Sequence, residues 1–298
     1  MERRDYESRK ARGSMTKLYL IEGIPGSGKT TIAQKIAERN RSCGRFVNLY
    51  VEGSAHPADL GWNACIPAKQ YDNVLVKYSA LRSQIEQNTH IESGCAIIAY
   101  TLIKTDNKDF YKEMEAFEVY DGRASDELFF RLHYDRWRMF GEVAAQGEAL
   151  TIFECAFLQN HVNELLFWRD VNESEVIAHC DRLIDSVKQL SPVLFYLSQP
   201  DVRETIDRVA NERVSPDGDK WIDRVISYCE NSPFGKRHGI KGLDGVIEFF
   251  AIRKQLEMKI LEQLSIPYRV IENADYGWDR VWAEIEAYLN KIEREAVQ

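Results

Sequence analysis

The sequence has few cysteines and no long apolar run, and each absence excludes a class of protein. The six cysteines of the 298-residue chain are scattered, and no two of them form a C-x-x-C pair. A zinc site or a disulfide framework is therefore not indicated, and we expect a cytoplasmic protein. No run of eighteen apolar residues occurs, so the sequence predicts no membrane span.

The chain also lacks an excess of positive charge. It has 39 Lys and Arg against 47 Asp and Glu, a net charge of -8, so extended nucleic-acid binding is not expected. Without internal repeats or low-complexity tracts, the sequence predicts a single domain over residues 15–298 with insertions, and a homodimer is left open. Residues 1–14 are polar, and we expect an expression tag or a disordered segment there.

Short apolar runs alternate with helical patterns along the chain. Several of the runs are continuous rather than alternating, as in strands buried within a parallel sheet. The predicted strands are 17–22, 45–52, 149–155, 192–198 and 267–272, and the predicted helices are 30–40, 71–88, 125–146, 173–190, 200–213, 245–264 and 278–294. This order predicts an α/β fold of three layers, a five-stranded parallel sheet with helices on both faces.

The first predicted strand ends in a glycine-rich motif, G-x-x-x-x-G-K-T, which is followed by a helical period. In this context the glycines allow a tight turn whose N–H groups face a polyphosphate at a helix N-terminus. Lys29 would reach the β- and γ-phosphates, and the Thr30 hydroxyl would bind Mg²⁺. The motif therefore predicts that the chain binds ATP, through Gly23, Pro25, Gly26, Ser27, Gly28, Lys29, Thr30 and Thr31.

Acidic residues end the second and third predicted strands, at the edge where open α/β sheets bind ligands. Glu52 could accept the proton of an attacking hydroxyl or hold Mg²⁺ through water, or it could be a solvated strand terminus. Glu154 closes a buried strand, where an unpaired carboxylate is costly. Its partner could be Mg²⁺, Lys29 or an arginine, and a structural ion pair is the alternative.

Other polar residues are weaker candidates for the site. His56 and Asp59 follow Glu52 closely and could contact an acceptor substrate, or they could belong to an ordinary loop. Arg208 and Arg213 lie on the helix after the fourth strand, where guanidinium groups would neutralise charge on a transferring phosphoryl group. Arginines on exposed helices are commonly only solvated, so both interpretations stay open.

These motifs resemble the P-loop kinase superfamily, nearest to deoxynucleoside and thymidylate kinases. In deoxynucleoside kinases a Glu-Pro pair ends the second strand, often with Trp shortly after, and that Glu is the base. Glu52 and Trp62 match this pattern, whereas Gly53 replaces the proline. The third strand of those kinases ends in Glu-Arg-Ser, and only the acid is kept at 154–156. Arg136 could bind an anionic substrate or replace the missing arginine, or it could be a surface residue with no part in catalysis.

The resemblance implies a P-loop NTPase fold with a helical acceptor-binding insertion at about 53–146 and a lid at about 200–240. It implies an ATP- and Mg²⁺-dependent phosphotransferase that moves the γ-phosphoryl group to a hydroxyl of a small molecule. The missing arginine favours a sugar, an antibiotic or a modified nucleoside over a plain deoxynucleoside. The Gly, Pro and charge content of the second half of the lid predicts a mobile segment.

Two other functions stay open. The first is a P-loop ATPase or GTPase that acts as a switch, although that class normally has a strand ending in Asp for Mg²⁺. The guanine-binding motif N-K-x-D does not occur in the sequence. The second is a nucleotide-binding regulator or toxin component with little turnover. ATP consumption that depends on an added metabolite would favour a kinase, and hydrolysis stimulated by a protein would favour a switch.

Overall fold

The computed structural model describes residues 15–215 and 217–297, and the predicted tag at residues 1–14 lies outside the described residues. In chain order, the strands are β1 (Leu18–Gly23), β2 (Val47–Tyr50), β3 (Ala64–Pro67), β4 (Thr89–Glu92), β5 (Cys95–Ile98), β6 (Leu150–Glu154), β7 (Val193–Ser198) and β8 (Tyr268–Glu272). The helices are α1 (Lys29–Ser42), α2 (Ala68–Lys77), α3 (Arg82–Gln87), α4 (Lys108–Ala116), α5 (Asp126–Gln146), α6 (Leu158–Val162), α7 (Glu173–Ser186), α8 (Val202–Glu212), α9 (Trp221–Asn231), α10 (Pro233–His238), α11 (Gly242–Gln263) and α12 (Trp278–Val297).

Five strands form an all-parallel sheet in the order β2-β6-β1-β7-β8. From β1 the chain goes to β2 at one edge of the sheet. The later connection from β6 to β7 passes β1, which lies between these two strands. The strand order therefore reverses beside β1, and open α/β sheets bind ligands at the carboxyl ends of strands at such a point. The predicted α/β class and the five-stranded parallel sheet are confirmed.

Helices cover both faces of the sheet because its strands are apolar on both sides. All six residues of β1 are buried. On one face Ile21 belongs to a core cluster with Ile36 of α1 and Ile285 of α12. On the other face Phe153 of β6 packs edge-on against Trp137 of α5, with ring centroids 5.9 Å apart. This two-sided burial explains the continuous apolar runs in the sequence.

The chain divides into two compact units. The core unit contains the described residues up to Glu52 and from Trp137 onward, including the parallel sheet. The insert unit is Gly53–Arg136. It contains a three-stranded antiparallel sheet in the order β3-β5-β4, with α2, α3 and α4. The sequence predicts only helices in this segment, because strands of four residues are too short to show a period of two.

Two of the differences between the predicted helices and the structure concern the pattern at 71–88 and the stretch after α8. The helical pattern at 71–88 is divided into α2 and α3 by a short 3-10 turn at Ser79–Leu81. Tyr78 ends α2 and is buried against Phe110, with ring centroids 5.2 Å apart, so a tertiary contact overrides the local propensity. The stretch predicted to be irregular after α8 contains α9 and α10.

Among the described residues, no helix combines the length and apolarity needed to cross a membrane.

Replacing Phe195 with Ala should destabilise the core unit. Its side chain is fully buried in β7 and packs edge-on against Tyr19 and Tyr288. Removing a buried phenyl ring leaves a cavity and should lower the free energy of unfolding by ~3–5 kcal/mol, measured by urea denaturation followed by circular dichroism. Phe46→Ala is the matched control, since that side chain is 78% exposed. If the two variants unfolded at the same urea concentration, the packing described for Phe195 would be contradicted.

Candidate functional site

The loop between β1 and α1 depends on glycine. Gly23 has φ +145°, and a Cβ atom there would lie 2.5 Å from the backbone oxygen of Leu197. Gly28 has φ +92°, and a Cβ atom there would lie 2.3 Å from the ring of Trp278. Any larger residue at either position would combine a strained backbone with a collision. The loop is therefore held tightly against β7 and the start of α12.

The N-terminus of α1 has no side-chain cap and no acidic residue in its first turn. The first amides of a helix have no partner within the helix, and they carry a partial positive charge. Beside them, the Ser27 hydroxyl is fully buried and has no hydrogen-bond partner among the described residues. This end of α1 is therefore suited to an anion that accepts hydrogen bonds.

Lys29 places a buried cation inside the same loop. Its Nζ donates to the backbone oxygens of Gly23 and Ile24, both at 3.0 Å. The residue is only 6% exposed, and a buried ammonium group is costly unless it is paired. The two carbonyls hold it next to the amides of α1, where it adds to the positive potential for an anion.

Glu154, at the end of β6, connects the loop to the end of β2. Its Oε1 accepts a hydrogen bond from Thr30 Oγ1 at 2.9 Å, and its Oε2 accepts one from the backbone N–H of Glu52 at 3.0 Å. The sheet register brings these groups together, because β6 lies between β1 and β2. Glu154 is 4% exposed, so these donors compensate for the burial of its charge.

An oxygen-rich cluster forms where β2 and β6 end. Glu52, Glu154 and Cys155 each present a potential ligand atom, and these atoms all lie within 4.8 Å of one another. Burial raises the pKa of the Cys155 thiol, and the nearby carboxylates raise it further although Lys29 lowers it. The thiol thus stays protonated, and its Sγ donates to Glu154 Oε1 at 3.4 Å. A hard cation would use the oxygens of Thr30, Glu52 and Glu154.

A cavity of about 580 Å³ opens from these groups within the core unit. One side is formed by the loop, Thr30 and Thr31, and by the carboxylates of Glu52 and Glu154. Aromatic residues of α9 and α11 also line the cavity. A volume of this size is typical of small-molecule sites.

Both predicted arginines line this cavity. The guanidinium of Arg208 lies 3.6 Å from the ring centroid of Tyr276 and donates to its hydroxyl, which in turn donates to Gly26 O at 2.8 Å. Arg213 follows the end of α8, with its guanidinium 5.4 Å from the ring centroid of Trp221. Arg208 is therefore held over the loop, whereas Arg213 is more exposed.

The sequence does not single out Arg253, although it also lines the cavity. Its side chain is fully buried on α11, where Nη2 donates to Gly23 O at 2.9 Å and Nε pairs with Glu257 Oε1 at 2.9 Å. Glu257 also accepts a hydrogen bond from Tyr196 at 2.6 Å. A charged pair four residues apart within an apolar helical run is the signal that could have indicated it.

Glu22 and Gln159 are two further residues that the sequence does not indicate. Glu22 is fully buried, and its carboxylate accepts hydrogen bonds from the backbone N–H groups of Phe157 at 2.8 Å and Gln159 at 3.1 Å. Burial raises the pKa of Glu22 to about 7, even though these amides lower it. The Gln159 side chain donates to Glu52 Oε1 at 3.1 Å. The contacts are invisible in the sequence because they join distant segments.

The four other candidates, His56, Asp59, Trp62 and Arg136, lie in the insert unit. His56 Nδ1 accepts from the Asp59 N–H at 2.7 Å, and burial lowers the pKa of this histidine to about 3. Tyr120 donates to Asp59 Oδ1 at 2.6 Å. Trp62 is 56% exposed.

Arg136 is 8% exposed and pairs with Glu92 Oε1 at 2.6 Å, so this arginine already has an anionic partner. The contacts given for His56, Asp59 and Arg136 are structural, and the roles of all four residues in acceptor binding stay predictions.

Glu22→Gln should change how stability depends on pH. The pKa of Glu22 is about 7 in the folded chain against an ordinary value of 4.5. Below pH 4.5 both states hold the proton. Between pH 4.5 and 7 the unfolded state has released it while the folded state still holds it, so the parent protein loses stability as the pH rises through this range.

Glutamine cannot titrate. Raising the pH from 4.5 to 8 should therefore increase the free energy of unfolding of the variant relative to that of the parent by on the order of 3 kcal/mol. Urea denaturation at steps of one pH unit measures this difference. Glu272→Gln is the control, because this residue is exposed at the end of β8. A pH-independent difference between the parent and Glu22→Gln would show that Glu22 is not held as described.

Comparisons of the chain with models of known protein families and with curated proteins found no match.

Proposed function

We propose that this chain is an ATP-dependent phosphotransferase with a P-loop NTPase fold, which moves the γ-phosphoryl group to a hydroxyl of a small molecule. The observation that carries the proposal is the contact of one carboxylate with two segments. Glu154 accepts hydrogen bonds from Thr30 of the loop and from the backbone of Glu52. An anion site and an exposed acid are thereby held at the edge of one cavity.

The loop supplies what a triphosphate requires. The uncapped amides of α1 and the Lys29 ammonium group together provide hydrogen-bond donors and positive charge. The unpartnered Ser27 hydroxyl lies beside them. Phosphate oxygens accept hydrogen bonds from such donors, as in other loops that connect a strand to a helix. This arrangement supports nucleotide binding through the predicted residues.

The oxygens of Thr30 and Glu154 suit Mg²⁺, and Glu52 would contact the ion only through water. Mg²⁺ prefers hard oxygen ligands, and carboxylate and hydroxyl oxygens are the donors gathered here. When bound, Mg²⁺ would neutralise charge on the β- and γ-phosphates.

Glu52 is the group placed to act as the base. Its carboxylate is exposed to the cavity and oriented by Gln159. It would take the proton of the acceptor hydroxyl, whose oxygen bonds to the γ-phosphorus. The bond from that phosphorus to the bridging oxygen breaks, and ADP leaves with the electron pair. Arg208 and Arg213 would stabilise the charge on the transferring group.

Two substitutions should separate nucleotide binding from chemistry. Lys29→Ala removes a charge that the phosphates need and should abolish turnover. Glu52→Gln should leave ATP affinity near that of the parent and lower kcat by ~10²–10⁴, as expected for loss of a general base. The measurement is ADP release in a screen of metabolites and antibiotics as acceptors, with calorimetry for ATP binding.

Glu272→Gln is the control, since it changes an acid at the end of β8 outside the cavity. Turnover of Glu52→Gln at the parental rate would rule out Glu52 as the base. ADP release that needs a protein rather than a small molecule would favour a switch ATPase.

A further inference from the structure

Glu22 is a buried acid that the proposed reaction does not use. It lies near the end of β1 and is fully buried. Its two carboxylate oxygens accept hydrogen bonds from the backbone N–H of Phe157 at 2.8 Å and from that of Gln159 at 3.1 Å. These amides belong to the start of α6, where N–H groups have no partner within the helix. A charge enclosed in the sheet thus holds the turn that follows β6.

The register of the sheet brings Glu22 to this turn. Ile21 of β1 lies opposite Glu154, the last residue of β6, so the next residue of β1 lies beside the segment that leaves β6. That segment begins with Cys155 at φ +68°, a left-handed conformation that is uncommon for a residue with a side chain. The chain turns sharply at this point, and the hydrogen bonds to Glu22 fix the turn.

The side chain of Gln159 connects the turn to the proposed base. Its Nε2 donates to Glu52 Oε1 at 3.1 Å. The Glu52 side chain is exposed and lines the cavity, and a long exposed side chain samples several rotamers unless a contact selects one. The backbone N–H of Glu52 is held separately, by Glu154 Oε2 at 3.0 Å. The backbone and the carboxylate of the base are therefore fixed by two different contacts.

The amide of Gln159 is not explained by stability. The residue is 7% exposed, and its Oε1 atom is buried without a hydrogen-bond partner among the described residues. An unsatisfied buried acceptor lowers stability, and an apolar side chain of similar volume would avoid this loss. A hydrogen bond to an exposed carboxylate contributes little in return. What the amide supplies is a donor that holds Glu52.

From these contacts we infer that Glu22 is a positioning residue for the proposed base, and that it acts through Gln159. The inference rests on the proposed function, since Glu52 is the group that takes the proton of the acceptor hydroxyl. Glu22 fixes the turn after β6, the turn fixes Gln159, and Gln159 holds Oε1 of the base. The other oxygen of Glu52, Oε2, is then the atom that takes the proton.

Two double-mutant cycles test the order of these contacts. The measured quantity is kcat for ADP release from ATP and Mg²⁺, with an acceptor from the library screen or with water in its place. Gln159→Met keeps the volume of the side chain and removes its donor. Glu22→Gln keeps the shape but turns an NH₂ group toward one of the two amides. Each should lower kcat by ~10–10², because a small misplacement of a reacting group is costly, while calorimetry should give the parental ATP affinity.

The cycles should show that the losses share one route. Glu22→Gln should cause no further loss of kcat in the Gln159→Met background, and Gln159→Met should cause none in the Glu52→Gln background. Gln159→Met should unfold at the parental urea concentration or above it, whereas a merely structural residue would lower that concentration. Glu272→Gln and Gln189→Met are the matched controls, since both residues are exposed and lie outside the cavity. Both controls should keep the parental kcat.

A measurement without nucleotide separates the contact from the reaction. In protein labelled with ¹⁵N, the side-chain amide signals of Gln159 are identified by their loss in Gln159→Met. These signals should shift in Glu52→Ala, which removes the accepting carboxylate, and in Glu22→Gln, which releases the turn. The side-chain signals of Gln189 should stay where they are in both variants.

The inference is overturned if Gln159→Met or Glu22→Gln has the parental kcat, if the losses in either cycle are additive, or if Glu52→Ala leaves the Gln159 signals unchanged. Shifted signals in a protein that releases no ADP, with any acceptor or with water, would contradict the phosphotransferase and support the contact. Turnover that is lost in Glu52→Gln but unaffected by Gln159→Met would support the phosphotransferase and contradict the positioning role.

Discussion

The carboxylate of Glu154 is the contact on which the site depends. One oxygen is bonded to the hydroxyl of Thr30, and the other is bonded to the backbone of Glu52. The carboxyl ends of β2 and β6 and the start of α1 are thus joined at a single buried charge. Without it, the end of β2 would be connected to the glycine loop only through the pairing of β2 and β1 with β6. The parallel sheet makes the contact possible, because neighbouring strands deliver their carboxyl ends to the same edge.

Other buried charges around the cavity follow the same physical rule. A charge removed from water needs compensating partners, and here many of these are backbone groups. Lys29 donates to two carbonyls of the loop, and Glu22 accepts from two amides after β6. Arg253 donates to a loop carbonyl and forms an ion pair with the buried Glu257. The loop is thereby held from several directions, which preorganises its amides for a ligand and limits the reorganisation that binding requires.

The sequence predicts the parts of this site that are local in the chain. The glycine loop, Lys29 and Thr30 lie within one motif, and Glu154 is apparent as an acid that closes a buried strand. Gln159 could not be predicted, since its importance comes from a contact between segments far apart in the chain. Arg253 and Glu257 left a local signal, a charged pair four residues apart in an apolar helical run, but the contact of Arg253 with the loop is long-range. The sheet of the insert unit was beyond prediction for a different reason, namely that its strands are four residues long and are stabilised by pairing.

A double-mutant cycle on Mg²⁺-dependent ATP binding tests the central role of Glu154 most directly. Calorimetry would compare Thr30→Val, Glu154→Gln and the combined variant with the parent, in Mg²⁺ and in chelator, with Thr30→Ser as the variant that keeps the hydroxyl. Because the two side chains act as one unit, each single change should weaken Mg²⁺-dependent affinity about tenfold, and the combined variant should be little weaker than either. Fully additive losses, or ATP affinity that is equal with and without Mg²⁺ in the parent, would contradict this account.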